Sequence, residues 1–354
     1  MVVYWLMFII PILLGLSPIK ADHHLKKNIF FLSGIVLLIL IGLRHEIGGD
    51  WFRYVDTAYG ISEQDDFDFT SFYTGDYGYR LIHWLSVVYL DGIYSTNLIC
   101  AFFFIIGLFK FSRAMPVPWI ALCVSVPFMI VVVSMGYTRQ SVALGFLMWA
   151  LTNLINEKTR SFYILLIIGS LFHLTLMIMI PIGVIYNSFK PSFKGLLFIF
   201  LLITLLSMYA YFLFSKQIEH MIYYYITIKF HHSDGAVMRV FVNFLSAILF
   251  FIYREEFKRK FHDEKLWFIF SLLSILMFPA AFFYYTLVDR VVIYLMPLQL
   301  VIASRVVVLI TSKYNRTLFV FMVIIMYSSI LFTWLNFGNF SSYWLPYQNI
   351  LINY

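Results

Sequence analysis

Apolar residues in this chain come in long unbroken runs, and polar residues gather in short clusters between them. Runs such as IFFLSGIVLLILIGL (29–43) and LFIFLLITLLSMYAYFLF (197–214) approach or reach the roughly 20 residues that carry a helix across about 30 Å of hydrocarbon. The two-residue alternation of a membrane β-barrel is absent, so the pattern predicts an all-α, polytopic membrane protein. The first run, MVVYWLMFIIPILLGLSPIKA, lacks the positive leading region of a cleavable signal and reads as an uncleaved first helix.

Six cationic clusters punctuate the runs: KADHHLKK (20–27), KFSR (110–113), NEKTR (156–160), KPSFK (190–194), REEFKRKFHDEK (254–265) and SKYNR (312–316). If all face the cytoplasm, the chain must cross an even number of times between neighbours. Residues 28–109, 118–155, 195–253 and 266–311 each divide into an outward and a return helix, with a break near SMGYTRQ in the second and near YTLVDR in the last. Residues 161–189 are too short for two full helices. Either they form a re-entrant hairpin of two half-helices with His173 near the tip, or one neighbouring cluster breaks the rule; the hairpin is the preferred reading. The segment 79–91 predicts a short helix on the outer surface. The expectation is one domain, 1–354, of about ten spans plus one or two partial elements. It has an outer-facing polar loop at 44–78, within a 44–95 periplasmic segment, and a second outer loop at 216–238.

Composition agrees: 62% of the 354 residues are hydrophobic and 12% charged, far from the balance of a soluble domain. The net charge of +7 sits in the short loops, where it sets topology; the expected partners are membrane lipid and lipid-linked molecules, and no nucleic acid. Cys100 and Cys123 lie in apolar runs without a partner motif, which predicts neither a disulfide nor a metal site.

On the predicted outer face the sequence offers chemistry. Arg44 ends an apolar helix, and Gly48-Gly49 then lets the backbone turn closely before presenting Asp50 beside Trp51. A plain interfacial turn with a snorkelling arginine is the competing reading. Arg139 and Gln140 open a long apolar helix, where a cation adds to the dipole and favours an anion. Asp289 and Arg290 interrupt another apolar stretch, with Tyr294 one turn on from Arg290; adjacent residues diverge on a helix, so each needs its own partner. His173 lies among apolar residues and by itself reads more readily as hydrogen-bonded packing than as catalysis. Arg239 and the pair His231-His232 carry weaker signals, and the histidines lack zinc spacing. The acidic run Glu63, Asp65, Asp66, Asp68 reads as a solvated loop, without the turn glycine or late glutamate of a calcium loop. No P-loop, dinucleotide fingerprint or nucleophile elbow is present, and no cofactor or metal is expected. Several arginines at one membrane face suit a pyrophosphate whose tail lies in lipid.

Taken in order, R-x-x-x-G-G-D-W-x-x-Y (Arg44 to Tyr54), DYGYRLIHWL from Asp76, YTRQSVAL, LFHLTLMIMIP and DRVVIYLMP resemble the EpsG-like branch of the Wzy O-antigen and exopolysaccharide repeat-unit polymerases. The resemblance spans about residues 28–300. Asp76 stands where the pattern has glutamate, an acid of longer reach. The resemblance implies a bacterial inner-membrane glycosyltransferase with a periplasm-facing site. It would take a polyprenyl-pyrophosphate-linked oligosaccharide, with a chain-length regulator admitted as a further partner. In that setting Asp50 is the first candidate base and His173 the second; Arg44, Arg139 and Arg290 are candidate pyrophosphate ligands. Tyr54, Asp76, Gln140, Arg239, Asp289 and Tyr294 complete the candidate substrate-binding set. A flippase of lipid-linked oligosaccharide competes with this reading, and so does a membrane acyltransferase. The first predicts an internal repeat, which the sequence lacks, and the second an acidic neighbour for its histidine, which His173 lacks in sequence.

Overall fold

The computed structural model describes residues 1–17, 22–62, 76–188 and 235–352, with 215, 219 and 223 between them. The acidic run 63–68, the cluster 190–194, the pair His231-His232 and nearly all of the 195–234 region lie outside the described residues. Every regular element described is a helix. In chain order these are α1 (Val2–Leu16), α2 (His23–Gly42), α3 (Trp51–Ser62), α4 (Tyr77–Tyr89), α5 (Ile93–Arg113), α6 (Pro118–Ser125), α7 (Thr138–Ile155), α8 (Thr159–Ser170) and α9 (Ile180–Ser188). They continue with α10 (Ala236–Ile252), α11 (Arg254–Lys260), α12 (Glu264–Ala280), α13 (Tyr285–Val292), α14 (Pro297–Leu309) and α15 (Lys313–Phe337).

Among the described residues four helices are long and apolar enough to cross a membrane: His24–Gly42, Ile93–Arg113, Leu287–Leu309 and Lys313–Phe337. Shorter apolar helices, including Val2–Leu16 and Pro118–Ser134, accompany them. Large side chains such as Phe31, Leu32, Phe321 and Ile325 remain exposed on the outer helices, as a lipid-facing surface requires. This is a multi-pass membrane protein.

The helices run between two ends of a bundle. At one end, α6 starts on a proline, whose missing N–H suits a first helical turn. After Ser125 the helix loosens into a nine-residue π-helical stretch, Val126–Ser134. The helix continues through Gly136, and Tyr137 alone interrupts it before α7, inside the SMGYTRQ stretch. α5 and α7 pack backbone to backbone where Gly107 meets Gly145, since a Cβ on Gly107 would collide with the Gly145 carbonyl. α8 has 12 residues and turns at Leu171–His173 into a 3₁₀ segment, Leu174–Met179, that leads back through α9. At about 1.5 Å per residue α8 alone falls well short of the hydrocarbon thickness.

The end carrying the described basic clusters is clasped by Arg305, which meets Asp263 through both nitrogens at 2.6 Å, and by Arg254 on Glu264 at 2.8 Å. The other end is closed by residues 338–350. Trp344 donates to the Val131 carbonyl, the Ile350 N–H to Leu43, and the His45 N–H to Gln348. Tyr4 donates from α1 to the Trp344 carbonyl. Among the described residues, Arg44, Asp50, Asp76, Arg139, His173, Arg239, Asp289 and Arg290, the polar positions singled out from the sequence, gather at this second end.

Candidate active site at the closed end of the bundle

The chain leaves α2 at Gly42, and Arg44 turns inward to 2% exposure. Its guanidinium donates to the carbonyls of Ile41 (2.7 Å) and Ile47 (3.2 Å), to Asn97 Oδ1 (3.0 Å) and to Thr138 Oγ1 (2.9 Å). One of these is an orphan carbonyl of the α2 C-terminus, so the arginine caps its own helix while tying α2 to the starts of α5 and α7. The fork is occupied by protein. Gly48 is needed where it stands: it has φ 106°, its N–H donates to the Tyr343 carbonyl, and any Cβ would strike the Met135 carbonyl. Trp51, expected as an aromatic platform beside Asp50, is instead buried against His45 and Tyr94 with both ring centroids at 5.8 Å. Its large apolar ring finds more burial in that seam than it would on the surface.

Asp50 remains half-exposed and accepts from the Tyr54 hydroxyl at 3.3 Å. Burial pushes the Tyr54 phenol above its ordinary range, with the Asp50 charge adding to the rise, so Tyr54 stays a neutral donor. Tyr54 packs on Tyr79 at 5.2 Å, and the Arg139 guanidinium lies 5.9 and 6.0 Å from the two ring centres.

Asp76 reaches the middle of this group despite its short side chain. Its Oδ2 accepts from Arg139 at 2.7 Å, and its Oδ1 lies 3.4 Å from Nδ1 of His173. The acidic neighbour that His173 lacks in sequence is therefore supplied in space. The Asp76 side chain is 10% exposed, those of Arg139 and His173 29% and 25%, so a solute can reach the cation and the imidazole.

A second cation adjoins the first. Gln140 donates to the Arg290 carbonyl at 2.9 Å and accepts from its Nη1 at 3.3 Å, and the guanidinium lies 4.5 Å from the Tyr137 ring centre. Tyr294 is fully buried, with its hydroxyl 3.0 Å from Thr175, two residues past His173. It braces the turn that carries His173. Arg239 and Asp289 answer each other through two hydrogen bonds of 2.6 and 2.7 Å, each side chain 3% exposed. That pair joins α10 to α13.

The structure thus brings Asp50, Tyr54, Asp76, Arg139, Gln140, His173 and Arg290 to one face and puts Arg44, Arg239, Asp289 and Tyr294 into the supporting shell. Tyr79, Tyr137, Thr175, Asn97 and the 338–350 segment were not anticipated. Tyr79 and Tyr137 stand inside the quoted motifs, DYGYRLIHWL and MGYTRQSVALGF, and that was the available signal. No curated protein and no solved structure matches this chain. The model of the EpsG family matches residues 27–349, and the chain belongs to that family, whose members are Wzy-like polymerases.

Proposed function

We propose that the protein is a repeat-unit polymerase of a bacterial O-antigen or exopolysaccharide, acting in the inner membrane with its site facing the periplasm. Membership of a family of polysaccharide polymerases supports the class of reaction. The observation that carries the site is the Arg139–Asp76–His173 contact, with Arg290 beside it through Gln140. The positive-inside rule supports the orientation, because this face lies opposite the described basic clusters.

In the reaction, a hydroxyl oxygen on the non-reducing sugar of an incoming lipid-linked repeat unit attacks the anomeric carbon of the growing glycan. The bond from that carbon to the polyprenyl pyrophosphate breaks, and the pyrophosphate leaves with the electron pair. The hydroxyl proton passes to a base. Arg139 and Arg290 meet the pyrophosphate, whose charge lies at headgroup level while its tail stays in lipid. His173 is the base, because it is open to solute and has a carboxylate behind it; Asp50, steadied by Tyr54, orients the acceptor hydroxyls. Pyrophosphate departs readily, so the scheme requires no general acid.

Deleting the gene and separating the surface glycan by size tests this. Loss of long polymer with a single repeat unit retained is the expected result. Loss of both would fit a flippase and overturn the polymerase reading.

A further inference from the structure

The start of α4 is built in an unusual way. Asp76 occupies the N-cap position, where a carboxylate ordinarily accepts from the N–H two or three residues on. It makes no such bond and adopts the left-handed conformation, φ 61° and ψ 38°, which costs a non-glycine residue conformational energy. The N–H it would have capped, that of Gly78, donates instead to the Leu171 carbonyl at 2.7 Å. One hydrogen bond therefore does two things: it frees the Asp76 carboxylate, and it pins the turn that carries His173 next to it.

The freed carboxylate is shared unequally. Its contact with Arg139 is a short, charge-assisted 2.7 Å, whereas 3.4 Å to Nδ1 of His173 is long for a hydrogen bond. Nδ1 is buried and makes no hydrogen bond at all. A buried ring nitrogen without a partner is costly, and an acceptor waits just beyond bonding distance.

Resting on the polymerase reading, we infer that Asp76 is a positioning residue held in reserve: the substrate pyrophosphate draws Arg139 off Asp76, and the released carboxylate closes on Nδ1 of His173. The Nδ1–H then donates to Asp76, which fixes the tautomer and leaves Nε2 as the nitrogen that takes the acceptor proton. Catalytic hydrogen bonds that are long without substrate and tighten with it are a common arrangement. The base becomes competent only when a donor is bound, which spares the site from orienting an acceptor, or water, with no glycan to transfer.

Full-length protein labelled with ¹⁵N-histidine, in lipid nanodiscs, tests the inference, with His173→Gln assigning the signal and inorganic pyrophosphate as the probe. Pyrophosphate should move His173 to the hydrogen-bonded Nδ1–H form in the unaltered protein and in Asp76→Glu, and leave it unmoved in Asp76→Asn. Arg139→Gln should show the closed form without pyrophosphate, so the test survives even if Asp76→Asn does not fold. In turnover, Asp76→Asn should lower kcat by about 10-fold or more, the loss approaching about 10⁴-fold where the tautomer is fully misdirected, with KM for the acceptor little changed. A pyrophosphate response that persists in Asp76→Asn, or an Arg139→Gln protein whose His173 signal matches the resting form, would overturn the inference. The titration needs no turnover. Its failure in an active polymerase removes this inference alone, whereas coupling without any polymerisation removes the polymerase reading instead.

Discussion

Two Arg–Asp pairs lie at the same end of this bundle and are built in opposite ways. Arg239 and Asp289 meet through two hydrogen bonds with both side chains 3% exposed, between α10 and α13. Arg139 and Asp76 meet through one nitrogen, at 29% and 10% exposure, and the second oxygen of Asp76 faces a histidine. A dry bidentate pair has no capacity left for a ligand and a large penalty for being broken. A half-open single contact can be exchanged for a phosphate oxygen at small cost. The same division separates Arg44, with four acceptors around it, from Arg290, which lies over a tyrosine ring and within reach of solute.

The sharpest way to break the comparison is to remove one carboxylate from each pair. Asp289→Ala should destabilise by about 3–5 kcal/mol, because Arg239 keeps its charge in a buried place shaped for a carboxylate. Thermal unfolding in detergent reads this directly, and a loss as small as that of Asp76→Ala would erase the distinction. Arg44→Lys comes next, at about 2 kcal/mol. An ammonium cannot span the acceptors on α2, α5 and α7 that the guanidinium fork spans, so charge-assisted hydrogen bonds are lost. If Arg44→Lys folds normally yet loses chain extension, Arg44 returns to the list of substrate ligands.

How far the sequence could carry this follows from the same residues. Helices were legible because run lengths and breaks are local: the proline and glycines around Pro118 and Gly136, and the polar interruption at His173, act on their own neighbours. Which arginine serves the scaffold was not. Asn97 and Thr138 lie 53 and 94 residues from Arg44, and Asp289 lies 50 from Arg239; nothing in the local pattern announces those contacts. Asp76 and His173 meet from across nearly a hundred positions, so their contact is not written in either local stretch. The 338–350 segment escaped notice for another reason. Much of its hold on the 43–48 turn is backbone hydrogen bonding, at Leu43, His45 and Gly48, which any side-chain sequence can supply.

On stability, Arg139→Ala should cost about 1 kcal/mol or less, the scale of a solvent-accessible ion pair, while chain extension disappears and single-repeat glycolipid accumulates. Arg290→Ala should behave alike. Long polymer persisting in both variants would sink the proposed pyrophosphate site, and gross unfolding of either would place it with the scaffold.

The smallest effect on chain extension concerns the floor beneath Tyr79. His83 in α4 is 1% exposed, stacks on Tyr79 at 5.6 Å, and has Nδ1 3.0 Å from Thr96. Burial holds its pKa down, at about 4, because the charged ring would lose its hydration there. The unfolded chain binds that proton more readily than the folded one. His83 therefore contributes stability that is complete above about pH 6.5 and is lost as pH falls toward 4. Unfolding followed from pH 7 to 5 should show a decline of about 1–2 kcal/mol, and His83→Phe, which keeps a ring against Tyr79 without a titrating nitrogen, should flatten it. Because His83 supports Tyr79 and touches neither cation, activity at pH 7 should change little in that variant. A large loss of chain extension there, with stability intact, would move the boundary between scaffold and site one layer deeper into α4.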